Sequence, residues 1–340
     1  MSNELEAGQL GRWLDSQGAP GRGELPELKK LTGGSQNVLY LIQRGDERMV
    51  LRMPGDRADK GRMNELLREI RLVRALKGTD VPHAELFAAD ETGELLGKPF
   101  YVMAEIDGWS PMDGGWQPPF DTDLEARRGL AFQLIEGAAK LGRVDWRAQG
   151  LEGFGKPEGF HDRQVDRWLA FLRSFQVREL PGLYVAAEWL RRNRPEHFTP
   201  GIMHGDYHAA NVMFSPTGPD VVAVVDWEMS TIGDPLQDLG WMLATWYRPG
   251  HEPVLPNQLM SVGGLATPGE LIERYGRNSG RDLSQIDWYA VLACFKLGII
   301  LEGSHARAGA GLAPKEIGDV LHTATVRLFD RALAIMEGER

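Results

Sequence analysis

The sequence predicts an α+β protein with two lobes, a small β-rich N-terminal lobe and a larger helical C-terminal lobe. The chain has 340 residues, too many for one small hydrophobic core. Short apolar runs between turn residues dominate the first 105 positions, and such runs are typical of strands. Beyond residue 122 apolar residues recur at helical spacing. The change of pattern predicts lobes over residues 1–105 and 106–340.

The N-terminal lobe is predicted to contain a hairpin, a helix and a further strand. Apolar runs at 38–42 and 49–53 flank a Gly-Asp turn. Apolar residues at helical spacing then predict a helix over 64–76, and the run at 100–104 predicts a short buried strand.

The C-terminal lobe is predicted to be mostly helical. The segment 109–120 is rich in Gly, Pro and Trp, and we expect a structured loop in which Trp109 and Trp116 contact a substrate. A loop-and-strand segment interrupts the helices after residue 200. Helices are predicted over residues 124–141, 165–175, 183–192, 235–246, 267–275, 283–301 and 314–336.

Composition argues against several classes of partner. The formal net charge of -10 disfavours nucleic acid and anionic membrane surfaces, because both bind clustered Lys and Arg. The single cysteine, Cys294, permits no intrachain disulfide, so we expect a reducing compartment, the cytoplasm. No apolar stretch reaches the roughly 18 residues that span a bilayer, and the N-terminus does not resemble a signal peptide. Composition gives no indication of the oligomeric state.

The segment HGDYHAAN at 204–211 carries the strongest functional pattern. It places Asp206 five positions before Asn211, in a loop that Gly205 can hold open. A carboxylate can orient a substrate hydroxyl or accept its proton, and an amide oxygen suits the hard cation Mg²⁺. The pattern indicates phosphoryl transfer from ATP, with Asp206 as the catalytic residue and Asn211 as a metal ligand.

A second acidic group follows an apolar run at 221–225. Asp226 is therefore predicted at the end of a buried strand, where a carboxylate is costly unless it is paired or bound to a metal. Metal binding explains it best. Glu228 would face the same side if the strand continued, either as a metal ligand or as a solvent-exposed residue.

The residues around this pattern are predicted to support it. Asp234 suits a helix cap, and Pro235 suits the first helical turn. Asp238, inside that helix, is expected to brace the catalytic loop through hydrogen bonds to its backbone. We expect His204 to support the loop and His208 to face a substrate.

Candidate nucleotide contacts in the N-terminal lobe are weaker signals. A turn between two predicted strands contains Gly33, Gly34, Ser35 and Asn37. Backbone N–H groups in such a turn can approach phosphate oxygens. Arg52 could direct a cation at the phosphates, and Glu69 on the following helix could pair with it. Taken alone, the pattern also fits an ordinary hairpin turn and two solvated charges.

Together these motifs resemble the aminoglycoside phosphotransferase superfamily, which has a bilobal protein kinase-like fold. The resemblance runs nearly end to end, and it is narrower to one branch, the kinase domain fused to acyl-CoA dehydrogenases in animals and its free-standing bacterial relatives. The segments similar to this branch include LTGGSQNVLYLI, REIRLVRAL, YVMAEIDG, HGDYHAANVMF, VVDWEMSTIGDPLQDLGW and FKLGIILEGSHARAGAG. The segments RQVDRW and EGSHARAGAG favour this branch over antibiotic-resistance enzymes.

The resemblance implies a role for each candidate residue. Asp206 would be the catalytic base, and Asn211 and Asp226 would bind Mg²⁺, with Glu228 as a further candidate. ATP would bind the lobe 1–105, and the lobe 106–340 would hold the catalytic loop and the acceptor pocket. The implied nucleotide-binding residues are Gly33, Gly34, Ser35, Asn37, Arg52, Glu69, Met103 as gatekeeper, and Ala104 and Ile106 in the hinge.

The chain departs from the family pattern at two places. Arg52 stands where many members have Lys, and an Arg fork binds phosphates differently from an ammonium. LGRVD at 141–145 stands where many relatives carry a Leu-His pair.

The leading hypothesis is an ATP- and Mg²⁺-dependent phosphotransferase that acts on the hydroxyl of a small molecule. The branch resemblance favours a hydroxyacyl-CoA or a related acid over amino sugars as the acceptor. An aminoglycoside or other antibiotic kinase remains an alternative. So does a nucleotide-binding pseudokinase, which Arg52 favours but the three residues Asp206, Asn211 and Asp226 oppose. A metal-dependent hydrolase ranks last, because the sequence offers no suitable His and carboxylate spacing.

Overall fold

The protein is an α+β chain of two compact units, as predicted. The computed structural model describes residues 3–31, 37–111, 115–176, 178–248, 250–255 and 263–339. The first unit comprises Met1–Gly108, Trp146–Glu152 and Val222–Glu228. The second comprises Trp109–Asp145, Gly153–Val221 and Met229–Arg340. The assignment of nucleotide binding to 1–105 and of acceptor binding to 106–340 stays a prediction.

A five-stranded antiparallel sheet forms the first unit. Its strands are β1 (Glu27–Lys30), β2 (Asn37–Arg44), β3 (Glu47–Pro54), β4 (Leu86–Asp90) and β5 (Phe100–Ala104). They are ordered β1-β2-β3-β5-β4, and β2 and β3 form the predicted hairpin. The pairing of β3 with β5 places Arg52 opposite Tyr101, which brings two charged or polar groups of the candidate site together.

Two helices pack on the sheet. They are α1 (Asn3–Ser16) and α2 (Lys60–Leu76). Leu10 and Leu14 of α1 join the apolar core of the sheet, while Leu66 and Ile70 of α2 pack against Tyr101. Removing these side chains from water stabilises the unit by roughly 1.5–3 kcal/mol each.

The two helix starts differ from the sequence prediction. α1 was not predicted, because its apolar residues are few and widely spaced among polar ones. α2 begins at Lys60 rather than at residue 64, because the Asp59 side chain accepts a hydrogen bond from the Arg62 N–H and caps the helix.

The second unit contains every helix predicted beyond residue 122. They are α3 (Leu124–Arg143), α4 (Gln164–Arg173), α5 (Leu183–Arg192), α6 (Leu236–Thr245), α7 (Pro268–Ser279), α8 (Ile286–Gly309) and α9 (Lys315–Met336). The remaining strands of the described chain are β6 (Gly201–Met203), β7 (Val212–Phe214), β8 (Val221–Val224) and β9 (Thr231–Gly233). β6 pairs antiparallel with β9.

Helix α8 is the central helix of the second unit. Its residues from Trp288 to Ile299 are all buried, and it packs against α6 and α9. A helix that is apolar on all sides belongs in a protein core or a membrane. No helix of the described ranges combines the length and the apolar character needed to cross a membrane. α8 extends eight residues beyond its predicted end, to Gly309.

Candidate active site

The loop after β6 carries Asp206 in a constrained backbone. Gly205 has a φ of 87°, and a Cβ at this position would lie 2.6 Å from the carbonyl oxygen of Met229. A side chain would therefore meet both an unfavourable φ and a steric clash. The sequence prediction that Gly205 shapes this loop is confirmed.

Asp238 braces the same loop from helix α6. Its Oδ2 accepts a hydrogen bond from the N–H of His204 at 2.7 Å, and its Oδ1 accepts one from Gly205 at 2.8 Å. Burial raises the pKa of Asp238 to about 7, against the lowering effect of the two hydrogen bonds. The predicted bracing role is confirmed, and it fixes the loop from which Asp206 projects.

Asp206 is an ionised and partly accessible carboxylate. Its side chain is 36% exposed, and its Oδ1 lies 3.3 Å from Nε2 of His208. Burial raises the pKa of Asp206, but the hydrogen bond and charge of His208, with smaller contributions from His204 and Asn211, hold it below its ordinary value. An ionised carboxylate can orient a hydroxyl group and accept its proton.

Asn211 lies beside Asp206 at the end of a short 3₁₀ turn. Its Nδ2 donates to the backbone oxygen of Asp206 at 2.9 Å and to Oδ2 of that residue at 3.1 Å. The amide nitrogen is thereby engaged, which leaves the amide oxygen for a hard cation. His208 caps the turn, because its Nδ1 accepts from the N–H of Ala210 at 3.2 Å.

The first unit contains a separate charged cluster centred on Arg52. Its Nε donates to Oε2 of Glu69 at 3.1 Å, and its second guanidinium nitrogen lies 3.4 Å from Oδ1 of Asp226. Burial lowers the pKa of Arg52, but the negative charge of Glu69, with a smaller contribution from Asp226, outweighs it and raises the pKa. The predicted pairing of Arg52 with Glu69 is confirmed, and the solvated alternative is wrong.

Glu69 is held from two sides. It is 3% exposed, and besides Arg52 it is hydrogen-bonded to Tyr101. Burial raises the pKa of Glu69, and the neighbouring Arg52 charge opposes this. Tyr101 was missed in the sequence, although strand alternation places it on the same face of β5 as Met103.

Asp226 adopts a strained backbone. Its φ is 64°, in the left-handed region, at a cost on the order of 1–3 kcal/mol for a residue other than glycine. Its side chain is 45% exposed, so it is not the buried carboxylate that the sequence predicted. The strand β8 ends at Val224, and the turn after it aims the carboxylate at Arg52. Strain held in place at a half-exposed carboxylate favours a functional position.

Glu228 does not continue the strand, as the sequence had suggested. It lies in the 3₁₀ turn Trp227–Met229, and its Oε2 is 3.1 Å from a guanidinium nitrogen of Arg62. It is therefore an ion-paired residue rather than a freely solvated one. Its role as a metal ligand stays a prediction.

Only some of the remaining candidate nucleotide-binding residues lie within the described ranges. Gly33, Gly34 and Ser35 lie outside the described residues. Asn37 opens β2 opposite Pro54. Met103 packs beside the α2 core, and the Ala104 N–H donates to the carbonyl of Glu85 at 2.9 Å.

Because the Ala104 N–H already donates to Glu85, an adenine ring would have to form its hydrogen bonds with the other backbone groups between Ala104 and Ile106. The adenine-binding roles of Met103, Ala104 and Ile106 remain predictions.

Two further residues have structural roles. Asp234 accepts from the Leu236 N–H at 3.1 Å, as predicted for a cap, and is also buried against His161 and Tyr289. Trp109 is 7% exposed and its indole N–H donates to the carbonyl of Ser215 at 3.0 Å. Such burial contradicts the expected substrate contact of Trp109.

Asp206 and Asn211 in the second unit, and separately Asp226 in the first, present oxygen atoms of the kind that magnesium prefers. Carboxylate and amide oxygens are hard ligands, whereas zinc sites favour His and Cys. Among the described residues no group of three or more His, Cys, Asp or Glu side chains is placed to hold a metal. Magnesium binding by these residues stays a prediction.

Comparison with known proteins identifies the chain's relatives. The model of the phosphotransferase enzyme family matches residues 27–283. The chain is 30% identical over 315 residues to acyl-CoA dehydrogenase family member 11 of Pongo abelii, covering 90% of this chain and 39% of that protein. It is 28% identical over 294 residues to family member 10 of Mus musculus, covering 84% and 27%. The chain thus spans well under half the length of these curated relatives.

Solved structures share the fold. A candidate aminoglycoside phosphotransferase from Ralstonia eutropha JMP134 matches with a TM-score of 0.81 and 25% identity, over 96% of this chain and 98% of that one. A phosphotransferase solved with streptomycin and ATP matches with a TM-score of 0.55 and 15% identity, over 96% and 99%. The bilobal, kinase-like fold class predicted from the sequence is confirmed.

Proposed function

The chain belongs to the phosphotransferase enzyme family and is a small-molecule kinase, and we propose that it transfers the γ-phosphoryl group of ATP to the hydroxyl of a hydroxyacyl-CoA or related hydroxy acid. The observation that carries the proposal is the ionised carboxylate of Asp206, partly accessible on a braced loop beside Asn211.

Each candidate residue has a definite task in the proposed reaction. Asp206 accepts a hydrogen bond from the acceptor hydroxyl and takes its proton as the oxygen bonds to the γ-phosphorus and ADP leaves. Arg52, held by Glu69, faces the phosphates. Asn211 and Asp226, with Glu228 as a third candidate, are the proposed Mg²⁺ ligands. Bound Mg²⁺ would neutralise the charge that builds up on the phosphate oxygens.

The acceptor class is supported by the relatives. The curated proteins that match most of this chain bear acyl-CoA dehydrogenase names, and the chain aligns with only part of each. A phosphotransferase unit joined to an acyl-CoA dehydrogenase would act on related acyl substrates. The net charge of -10 is unfavourable for an anionic acceptor, so the acceptor must be recognised by local positive charge.

A substrate panel tests the proposal. We expect ADP release with Mg-ATP and 3- or 4-hydroxyacyl-CoAs or their free acids, and none with aminoglycosides, macrolides or simple alcohols. Asp206→Ala should reduce turnover by at least 10²-fold while Mg-ATP affinity stays within about twofold. Asp46→Ala, in the exposed β2–β3 turn, is the matched control and should behave as wild type.

Other outcomes would point elsewhere. Full activity in Asp206→Ala would show that another residue is the base. Turnover restricted to aminoglycosides would establish the antibiotic-kinase alternative. Tight Mg-ATP binding without turnover on any acceptor would favour the pseudokinase.

A further inference from the structure

Helix α8 carries a buried cation close to the catalytic loop. Lys296 is 8% exposed, in the part of the helix that lies in the core. A buried ammonium is costly unless its hydrogen-bond donors are satisfied. The ammonium of Lys296 therefore needs acceptors for its N–H groups, from the protein or from a ligand.

The described partners satisfy Lys296 only in part. Its Nζ donates to Oε1 of Gln237 at 3.1 Å and lies 5.5 Å from the ring centroids of both Trp168 and Trp241. Indole faces attract a cation but accept no conventional hydrogen bond. An ammonium has three donors, and within the described ranges it makes one hydrogen bond.

Gln237 adds a second donor without a partner. It is 5% exposed, and its Nε2 has no hydrogen-bond partner among the described residues. The orientation of the amide is fixed, because only Oε1 can accept from the ammonium of Lys296. The Gln237 amide nitrogen therefore lacks an acceptor beside an ammonium that uses only one of its three N–H donors among the described residues.

The electrostatic environment links this pair to the reaction. Burial lowers the pKa of Lys296 to about 8, against the raising effect of Asp238 and Asp206, while Arg167 lowers it further. The amine is thus mostly protonated at neutral pH and lies within the field of the Asp206 carboxylate. Gln237 directly precedes Asp238, which accepts the backbone N–H groups of the Asp206 loop, so a ligand held by Lys296 and Gln237 would be near the proposed base.

We propose that Lys296 and Gln237 bind an acyl oxygen of the phosphoryl acceptor, either the carboxylate of a free hydroxy acid or the thioester carbonyl of its CoA ester. The proposal rests on the proposed function, because it places the acyl end of the molecule whose hydroxyl meets Asp206. The same donors would repel an ammonium group, so this site disfavours aminoglycosides.

The sequence is consistent with a role in specificity. Trp168, Gln237 and Lys296 each lie in one of the segments RQVDRW, PLQDLGW and FKLG, and these segments carry the resemblance to the acyl-CoA dehydrogenase-associated branch. The motifs are far apart in the chain, and the structure brings them to one point.

Binding of defined ligands tests the inference directly. Isothermal titration calorimetry would be run on wild type, Lys296→Met and Gln237→Met, with 3- and 4-hydroxy acids of four to eight carbons, their CoA thioesters and the matching diols. Methionine keeps the side-chain bulk and removes the buried polar group, so we expect both variants to fold. Lys315→Met, which removes an exposed charge on α9, is the matched control.

We expect at least a tenfold loss of affinity for the acid or the thioester in both variants, with no change in the control and no effect on diol binding. If the variants lose affinity for the acid, the acyl oxygen belongs to a free carboxylate; if they lose affinity for the thioester, it belongs to the CoA ester. Equal affinity in wild type and Lys296→Met would overturn the inference. So would a wild-type protein that binds diols as tightly as acids, or that binds neither acids nor thioesters.

Kinetics on the same proteins separate this inference from the proposed function. For an active acceptor, Lys296→Met should raise the acceptor KM at least tenfold and leave the KM for ATP unchanged. Lysine-dependent binding without ADP release from wild type would uphold the site and refute the transfer. ADP release with equal acceptor KM in the two proteins would uphold the transfer and refute the site.

Discussion

At the residue scale, Arg52 shows why an arginine can stand where relatives have lysine. Its guanidinium reaches two carboxylates at once, Glu69 through Nε and Asp226 through a terminal nitrogen. A lysine ammonium is a single point charge and cannot span both with the same geometry. The arginine therefore joins helix α2, strand β3 and the strained turn at Asp226 into one cluster.

Replacing this fork tests its role. Arg52→Lys keeps the charge but should lose one of the two ion pairs, and we expect the KM for Mg-ATP to rise by roughly five- to tenfold, or about 1–1.4 kcal/mol. Arg74→Lys is the control, since Arg74 forms an exposed pair with Glu91. An unchanged KM in Arg52→Lys would show that one point charge is enough.

At the element scale, the start of α6 determines the shape of the catalytic loop. Asp238 lies in the first turns of that helix and accepts two backbone N–H groups of the loop. A helix is a rigid support, so the position of Asp206 follows from the packing of α6 against α8. A buried carboxylate in this role makes the stability of the loop dependent on pH.

The expected sign follows from the pKa. Burial raises the pKa of Asp238 from 3.8 to about 7, so between these values the folded chain holds a proton that the unfolded chain has lost. This carboxyl therefore contributes less stability as pH rises. Relative to Asp238→Asn, wild type should lose roughly 2 kcal/mol of unfolding free energy between pH 5 and pH 7.

Urea denaturation at the two pH values measures this difference. Asp46→Asn, at the exposed hairpin turn, should follow wild type at both pH values. Parallel stability profiles for wild type and Asp238→Asn would mean that Asp238 does not titrate in this range.

At the scale of the whole molecule, ligand binding should increase the free energy of unfolding. A ligand that binds only the folded state at 100 times its Kd adds about 2.7 kcal/mol to the free energy of unfolding. The proposed metal ligands Asn211 and Asp226 predict that ATP alone binds less tightly than Mg-ATP.

Thermal unfolding tests this expectation. Mg-ATP should raise the Tm by several degrees, and chelation of Mg²⁺ should remove most of the increase. Asp226→Asn should also remove it, while leaving the Tm of the free protein near that of wild type, because asparagine tolerates the left-handed backbone. An equal increase with and without Mg²⁺ would contradict the metal role.

Local patterns in the chain were enough to predict the fold class, the helices beyond residue 122, the hairpin and the loop that carries Asp206. Local periodicity and turn chemistry encode these features, and the spacing of Asp206 and Asn211 keeps them within one short segment. Even the brace at Asp238 was predictable, because a carboxylate inside an apolar helix needs a partner close at hand.

The contacts between residues that are distant in the chain became visible only in the folded structure. Tyr101 joins Glu69, Arg62 joins Glu228, and Lys296 joins Gln237 across 59 positions of the chain. No sequence pattern predicted the left-handed backbone conformation of Asp226 either. Contacts of this kind depend on helix packing and strand register, which sum many weak interactions over the whole core, so no local pattern in the sequence specifies them.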